Sequence, residues 1–314
     1  ASWHILQREL EISIRWGGSL EWFPNPARQN RLVEQIEEQV EWGEPARMLT
    51  VDEVAELEPQ LQIKTDSLIA FSPTDGAVDP VIATQRLLKG AERFGAKIIY
   101  PCELLDIETS NGSLNSVVTS KGSIKADRLV LATGAAPNLA KKFAGIEIPQ
   151  RTTPGAIFIT KPMARLMNRI IVAPGVHMHQ RDDGRIVLGE QEGAPNTEAH
   201  KERLKNRPKE FPSFAIAQQH ADRVLSVAAN FIPGIDAAEL EQAYIGWRPL
   251  PIDGHPVLGS SPQQPDVYLA IMHSGVSLAP IVGEIVAKEL ASGESLDSIE
   301  HYRPTRKFAN VSRY

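Results

Sequence analysis

Residues 267–280 read VYLAIMHSGVSLAP. The five-residue apolar run Val267–Ile271 leaves no polar alternation for a wet face, so it fits a strand covered on both sides. Beyond it Ser274 and Gly275 allow a tight turn. Leu278, Ile281, Val282, Ile285, Val286 and Leu290 then recur three or four apart, which predicts a helix ending near Gly293. Ser277 is the expected cap of that helix. A strand that turns at once into a helix leaves free amides at the helix start, and these attract negative charge. Taken alone, the junction is either an ordinary strand-to-helix turn or a turn that holds a ligand.

Two neighbouring stretches narrow that choice. Residues 244–259 read YIGWRPLPIDGHPVLG, too rich in proline and glycine for a long helix. Arg248 sits there between an aromatic residue and a proline, either as a solvated surface charge or as a fixed fork for an anion. Residues 127–137, DRLVLATGAAP, repeat the pattern of a short apolar strand followed by small residues and a helix. Ligands of α/β sheets lie at the carboxyl ends of such strands. The opening junction and the stretch 244–259 are two rigid, glycine-bearing loops close in sequence and flanking a buried strand, which points to a site.

Elsewhere the chain alternates short elements. A helix from Trp3 to Trp16 is expected to stop at Gly17-Gly18; GSLEWF reads as a strand and 29–42 as an acidic helix. Thr50, Asp52 and Glu53 suggest a capping box. LIAF is a strand, and the helix 80–94 has Asp79 as N-cap, Pro80 at its first position and Gly95 as its stop. KIIY reads as a further strand. Segments 103–108, 114–119 and 123–126 form a meander around the turns Asn111-Gly112 and Lys121-Gly122. GAIFIT, GVHMHQ and RIVLGEQ are strands with a hairpin at Asp183-Gly184, and a mostly helical stretch runs from Thr197 to Ala229.

Composition limits the partners. Acidic residues outnumber basic ones, 39 to 33, without long runs of one sign, so no footprint for nucleic acid or an anionic membrane is present. No apolar run reaches the length of a membrane span and no signal peptide is visible, which suggests a cytoplasmic protein. The single cysteine, Cys102, excludes an internal disulfide and reads as a buried thiol. His177 and His179 alternate on one strand and so share a face; without a third ligand they read as pocket wall or surface, and no metal is expected.

GAVDP before a helix, IKADRLVLATGAAP, IGWRPLPIDGHPVLG and VYLAIMHSGVSLAP, in this order, resemble the D-amino acid oxidase family of FAD-dependent oxidoreductases. The resemblance runs from about residue 17 to 306. It implies an α/β mosaic: a Rossmann-like FAD-binding domain (73–145 and 243–314) interleaved with a substrate domain on a mostly antiparallel sheet (1–72 and 146–242). Members open with a G-x-G-x-x-G fingerprint for the FAD pyrophosphate. No Gly-x-Gly occurs in this sequence, so an N-terminally incomplete member is expected.

The resemblance also assigns roles. Oxidation of a small amino acid or secondary amine by hydride transfer to FAD asks for positioning more than for an acid–base pair. Arg248, in the family's G-x-R-P pattern, is implied as the anchor of the substrate carboxylate. His273, Ser274, Gly275, Val276, Ser277 and Leu278 are implied beside the flavin, with Thr133, Gly134 and Ala135 also on the cofactor side. His273 stands where members carry a glycine-histidine pair that is Met272-His273 here. Tyr244, His179 and Gln191 are further candidates for substrate binding. The competing reading is a flavin-free fragment or subunit that binds a partner or small carboxylate without catalysis; a partner subunit or homodimer fits either reading. A nicotinamide-dependent dehydrogenase fails for want of a dinucleotide fingerprint.

Overall fold

A computed structural model describes residues 2–311 apart from 64, 65, 67, 192–197, 199–201 and 203. The chain divides into two compact units, each assembled from separated segments. Unit 1 comprises 1–12, 80–153 and 247–314; unit 2 comprises 13–79 and 154–246.

Unit 1 holds a three-stranded sheet in the order Val257–Ser260, Val267–Ile271, Leu129–Leu131. The last two run parallel, in the register Val267 to Leu129 and Leu269 to Leu131. All five residues of Val267–Ile271 are buried, as a strand covered on both faces requires. One face packs against Phe143, Ala140 and Ile148 of the segment that follows Leu129–Leu131. The other packs on the helix Gly275–Ser292 through Val282, Leu278, Ile285 and Val286, while Ile281, expected on that face, is exposed. The meander Leu104–Ser110, Ser113–Thr119, Gly122–Lys125 forms its own sheet. Its first turn needs Asn111 and Gly112, both at positive φ.

Unit 2 carries the larger sheet, of eight strands, and antiparallel pairing dominates it. Ile170–Ala173 runs parallel to Ser19–Glu21. Val176, Met178, Ile186, Leu188 and Ile171 point into one core, covered by the helix Phe214–Ala228. That helix presents Ala217, Ala221, Val224, Leu225 and Ala228, three or four apart. Local signals set the ends of the elements. Asn25 accepts the Ala27 and Arg28 amides ahead of Pro26–Glu41, and Thr50 with Glu53 closes the capping box, in which Asp52 takes no part.

Several expectations need correction. The first helix ends at Leu10, because Glu11 turns to φ 53; Ile12 and Ile14 are buried, and Ile14 opens a strand, Ile14–Trp16. That strand pairs with Gly76–Val78, which the sequence presented as loop. KIIY is not a strand: extended backbone becomes a strand only by pairing, and it has no partner among the described residues, leaving Ile98, Ile99 and Tyr100 exposed. Ile170–Ala173 is a strand that the sequence reading passed over. The helix expected at Ser277 begins two residues earlier. Cys102 is only partly buried. The start of the helical stretch expected from Thr197 lies outside the described residues.

Candidate functional site

The parallel pair fixes the place of the site in unit 1. Because Leu129–Leu131 and Val267–Ile271 point the same way, the loop 132–136 and the turn 272–274 leave the sheet at the same end. Val257 pairs with Ile271, so the loop 252–256 reaches that end as well.

Two of these loops carry unusual or open backbone. Ser274 adopts φ 58 and ψ 32, a left-handed conformation that costs a residue with a Cβ about 1–2 kcal/mol. It makes no side-chain cap, and its Oγ lies 2.9 Å from His273 Nδ1. Residues 274–277 are exposed, so the first turn of an 18-residue helix presents its amides to ligand or solvent. A Cβ at Gly275 or at Gly134 would meet nothing within 4 Å. Thr133 Oγ1 is buried without a hydrogen-bond partner. Buried hydroxyls are nearly always paired, so this one is an acceptor or donor in want of a group.

Arg248, partly buried, lies on the strand Leu240–Pro251, and its charge reaches His273. Burial lowers the His273 pKa, and the positive charge of Arg248 lowers it further, so His273 is neutral at pH 7. The backbone around Arg248 is anchored behind it. Asp253, almost fully buried, takes both arms of Arg306, at 2.7 and 3.0 Å, and the His255 amide at 3.1 Å. Burial raises the Asp253 carboxyl, but these bonds outweigh it and hold the group below the ordinary carboxylate range. Gly254, at φ 76, closes the turn with its amide on Pro251 O.

A second clamp fixes the helix. Glu289 accepts from Tyr268 Oη at 2.6 Å, from Arg303 Nη1 and Nη2 at 2.9 and 2.6 Å, and from the Leu296 amide at 2.6 Å. It ties the strand before the His273 turn to the helix after it. Neither Arg303 nor Arg306 stands out in the sequence, since the partners are remote and only charge on an apolar background hints at them.

The candidates of unit 2 do not form one cluster. Tyr244 is exposed and donates to Gln242 at 2.7 Å. The Gln191 amide donates to Gly175 O, beyond the end of Val176–Gln180. His179 lies four residues up that strand, about 13 Å along it. Among the described residues no group of three or more His, Cys, Asp or Glu could hold a metal ion.

Comparison with known proteins fits this arrangement. The family model for FAD dependent oxidoreductases, DAO, matches residues 1–289. A glycine oxidase of Geobacillus kaustophilus is 25% identical over 272 residues, covering 86% of this chain and 68% of that protein. An opine oxidase subunit of Agrobacterium tumefaciens is 25% identical over 261 residues, covering 83% of this chain and 63% of that protein. The crystal structure of L-proline dehydrogenase from P. horikoshii superposes with a TM-score of 0.83 at 26% identity, over 97% of this chain and 80% of that one. Among the described residues no helix is long and apolar enough to cross a membrane.

Proposed function

Because the chain belongs to the family of FAD dependent oxidoreductases, we propose that it oxidises a small amino acid or secondary amine whose carboxylate is held by Arg248. The observation that carries this reading is the charge of Arg248 bearing on His273, at the sheet end where the loops 132–136 and 272–274 emerge. A guanidinium presents two parallel donors to a carboxylate and so fixes its direction as well as its charge. Bound FAD supplies the acceptor for the hydride of the carbon next to nitrogen.

The residues present fit one part of that cofactor. Thr133 Oγ1, the open Cβ positions of Gly134 and Gly275, and the exposed amides from Ser274 to Ser277 form polar, uncrowded backbone. In this reading Thr133, Gly134 and Ala135 line the cofactor, and the segment from His273 to Leu278 stabilises negative charge at its ring. The helix N-terminus contributes about 0.3–2 kcal/mol to that stabilisation. No residue of this chain is assigned to the pyrophosphate. His273, neutral, adds no charge of its own and leaves Arg248 as the cation that meets the substrate. Tyr244, His179 and Gln191 remain proposals for the substrate side.

A second reading treats the chain as one component of a larger enzyme, binding a partner or a small carboxylate without catalysis alone. Two observations favour it: the sequence holds no Gly-x-Gly, and the opine oxidase relative is by name a subunit. A visible spectrum taken after loading with FAD and removing the excess separates the two. Retained flavin, with reduction by glycine, sarcosine or proline that is lost in Arg248→Ala, supports the first reading. A chain that stays colourless supports the second.

A further inference from the structure

Ser274 stands at the start of the helix Gly275–Ser292 but does not act as the capping residues of other helices in this chain do. Ser213 and Thr50, in extended backbone, each accept an amide of the helix that follows, from Ile216 and from Glu53, both at 3.3 Å. Ser274 is left-handed, at φ 58, and caps nothing with its side chain, although its carbonyl takes the Leu278 amide at 3.0 Å. Its Oγ is turned back to Nδ1 of His273, at 2.9 Å. Glycine holds the left-handed conformation at Gly134 and Gly254 without strain. A serine kept in that conformation has a use for its hydroxyl, and here the hydroxyl meets the imidazole.

That bond governs what the ring offers. The ring torsion of a histidine is broad and two-fold when nothing holds it. A neutral imidazole has one N–H and one lone pair, which exchange places between its tautomers. His273 is neutral because burial and the charge of Arg248 both oppose its protonation. Behind it Ile271 and Met272 are buried, so the backbone that carries the ring is fixed. In front, residues 274–277 are exposed, which gives a proton on the ring a way to water. The oxidation proposed above creates a demand for such a group. An amino acid arrives with its nitrogen as ammonium, and the neighbouring carbon gives up a hydride only after that nitrogen has recovered its lone pair. A carboxylate on Arg248 cancels the charge that opposes protonation of His273, so arrival of the substrate itself raises the affinity of the ring for a proton.

We propose that Ser274 is a positioning residue whose hydroxyl accepts the Nδ1–H of His273 and so leaves Nε2 as the atom that takes the proton of the substrate's ammonium. In this step an ammonium N–H bond breaks and an Nε2–H bond forms. The electron pair stays on the substrate nitrogen, which becomes a neutral amine, and the imidazolium later returns its proton to solvent. No redox change accompanies the transfer, which rests on the reading of Arg248 as the carboxylate anchor.

The test follows His273 by NMR in the full chain labelled with ¹⁵N-histidine, its ring resonances assigned by their loss in His273→Asn. Ring nitrogen shifts tell the two neutral tautomers apart. The expected ring at pH 7 is protonated at Nδ1 alone. In Ser274→Gly, which keeps the left-handed backbone and loses the hydroxyl, the tautomers should average. Ser274→Asn, which tolerates that backbone and restores an acceptor oxygen, should return the single form. A wild-type ring protonated at Nε2, or a ring unaltered in Ser274→Gly, overturns the proposal. Sodium acetate, the carboxylate probe, should raise the pH at which His273 titrates in the wild-type chain but not in Arg248→Ala. A missing acetate response removes the anchor and the proton transfer with it, whereas a response from the wrong tautomer removes only the role of Ser274. In flavin-loaded protein Ser274→Gly should lower kcat/KM about ten-fold at pH 7, part of what a positioned base contributes. That deficit should close above the pKa of the substrate ammonium, where the amine is already free. A deficit equal at every pH makes the serine structural and overturns the proposal.

Discussion

Glu289→Gln removes one charge from a buried cluster in which every bond is visible. The carboxylate, 6% exposed, takes four bonds, two of them from an Arg303 that is 8% exposed. Burial works to raise the Glu289 carboxyl, but the bonds from Arg303, Tyr268 and Leu296 hold it below the ordinary range. The amide keeps one acceptor oxygen and turns an NH₂ toward donors. It leaves the Arg303 charge buried, with only the exposed Glu300 at 3.7 Å to answer it. Removing one partner of a buried pair costs about 3–5 kcal/mol. At about 2–4 °C per kcal/mol for domains of 150–250 residues, the transition of unit 1 should fall by about 6–20 °C. Urea and thermal unfolding followed by circular dichroism would measure it. The double variant E289L/R303M, which leaves no uncompensated charge, should recover part of the loss. A loss below about 1 kcal/mol for Glu289→Gln would refute the claim that this cluster fixes the helix Gly275–Ser292 on its strand.

Four further outcomes are expected. In flavin-loaded protein Arg248→Lys should raise KM for carboxylate substrates roughly ten- to hundred-fold, from about 1.5–3 kcal/mol of lost fork, and unchanged KM would count against the anchor. Gly275→Val, whose Cβ meets nothing in the protein, should leave the unfolding midpoint within about 0.5 kcal/mol while weakening FAD retention in an absorbance titration; equal loss of both would make the glycine structural. His179 is protonated in the unfolded chain below 6.5 but stays neutral when folded down to about 4. Stability should therefore be full above pH 6.5 and decline by about 1.4 kcal/mol per unit between those values, a slope that His179→Asn should flatten in urea titrations. For Asp253, held below the ordinary 3.8, the stabilisation is present at neutral pH and fades as pH falls through the folded value. The deficit of Asp253→Asn should accordingly shrink in acid.

The sequence disclosed what short-range physics determines. The run Val267–Ile271, the pair Asn111-Gly112, the Thr50 box and the Gly293 stop each act within a few residues, and each element formed where its signal lay. Ile12 and Ile14 misled because two β-branched residues fit the end of a helical stripe as well as the start of a strand. Only the turn at Glu11 and the pairing with Gly76–Val78 decide between them. KIIY misled for the converse reason, a β-prone apolar run without a partner strand among the described residues. At the site, Arg248 and the His273 turn were legible as rigid stretches with chemistry in them, although Arg248 lies on the strand Leu240–Pro251 and not in a loop. The grips of Arg303 on Glu289 and Arg306 on Asp253 were not, because nothing local marks a charge whose partner comes from elsewhere in the chain.

The interleaving of the two units also sets an order of assembly during synthesis. Leu129–Leu131 emerges from the ribosome long before Val267–Ile271, the strand it pairs with. Through that interval the whole segment 154–246 is made, and with it unit 2 becomes complete. The larger sheet can therefore close while the first parts of unit 1 wait as an unpaired nascent chain. Long-range strand pairing of this kind is slow and exposed to aggregation. Chains stalled between residues 246 and 267 should engage chaperones more than chains released after Ile271.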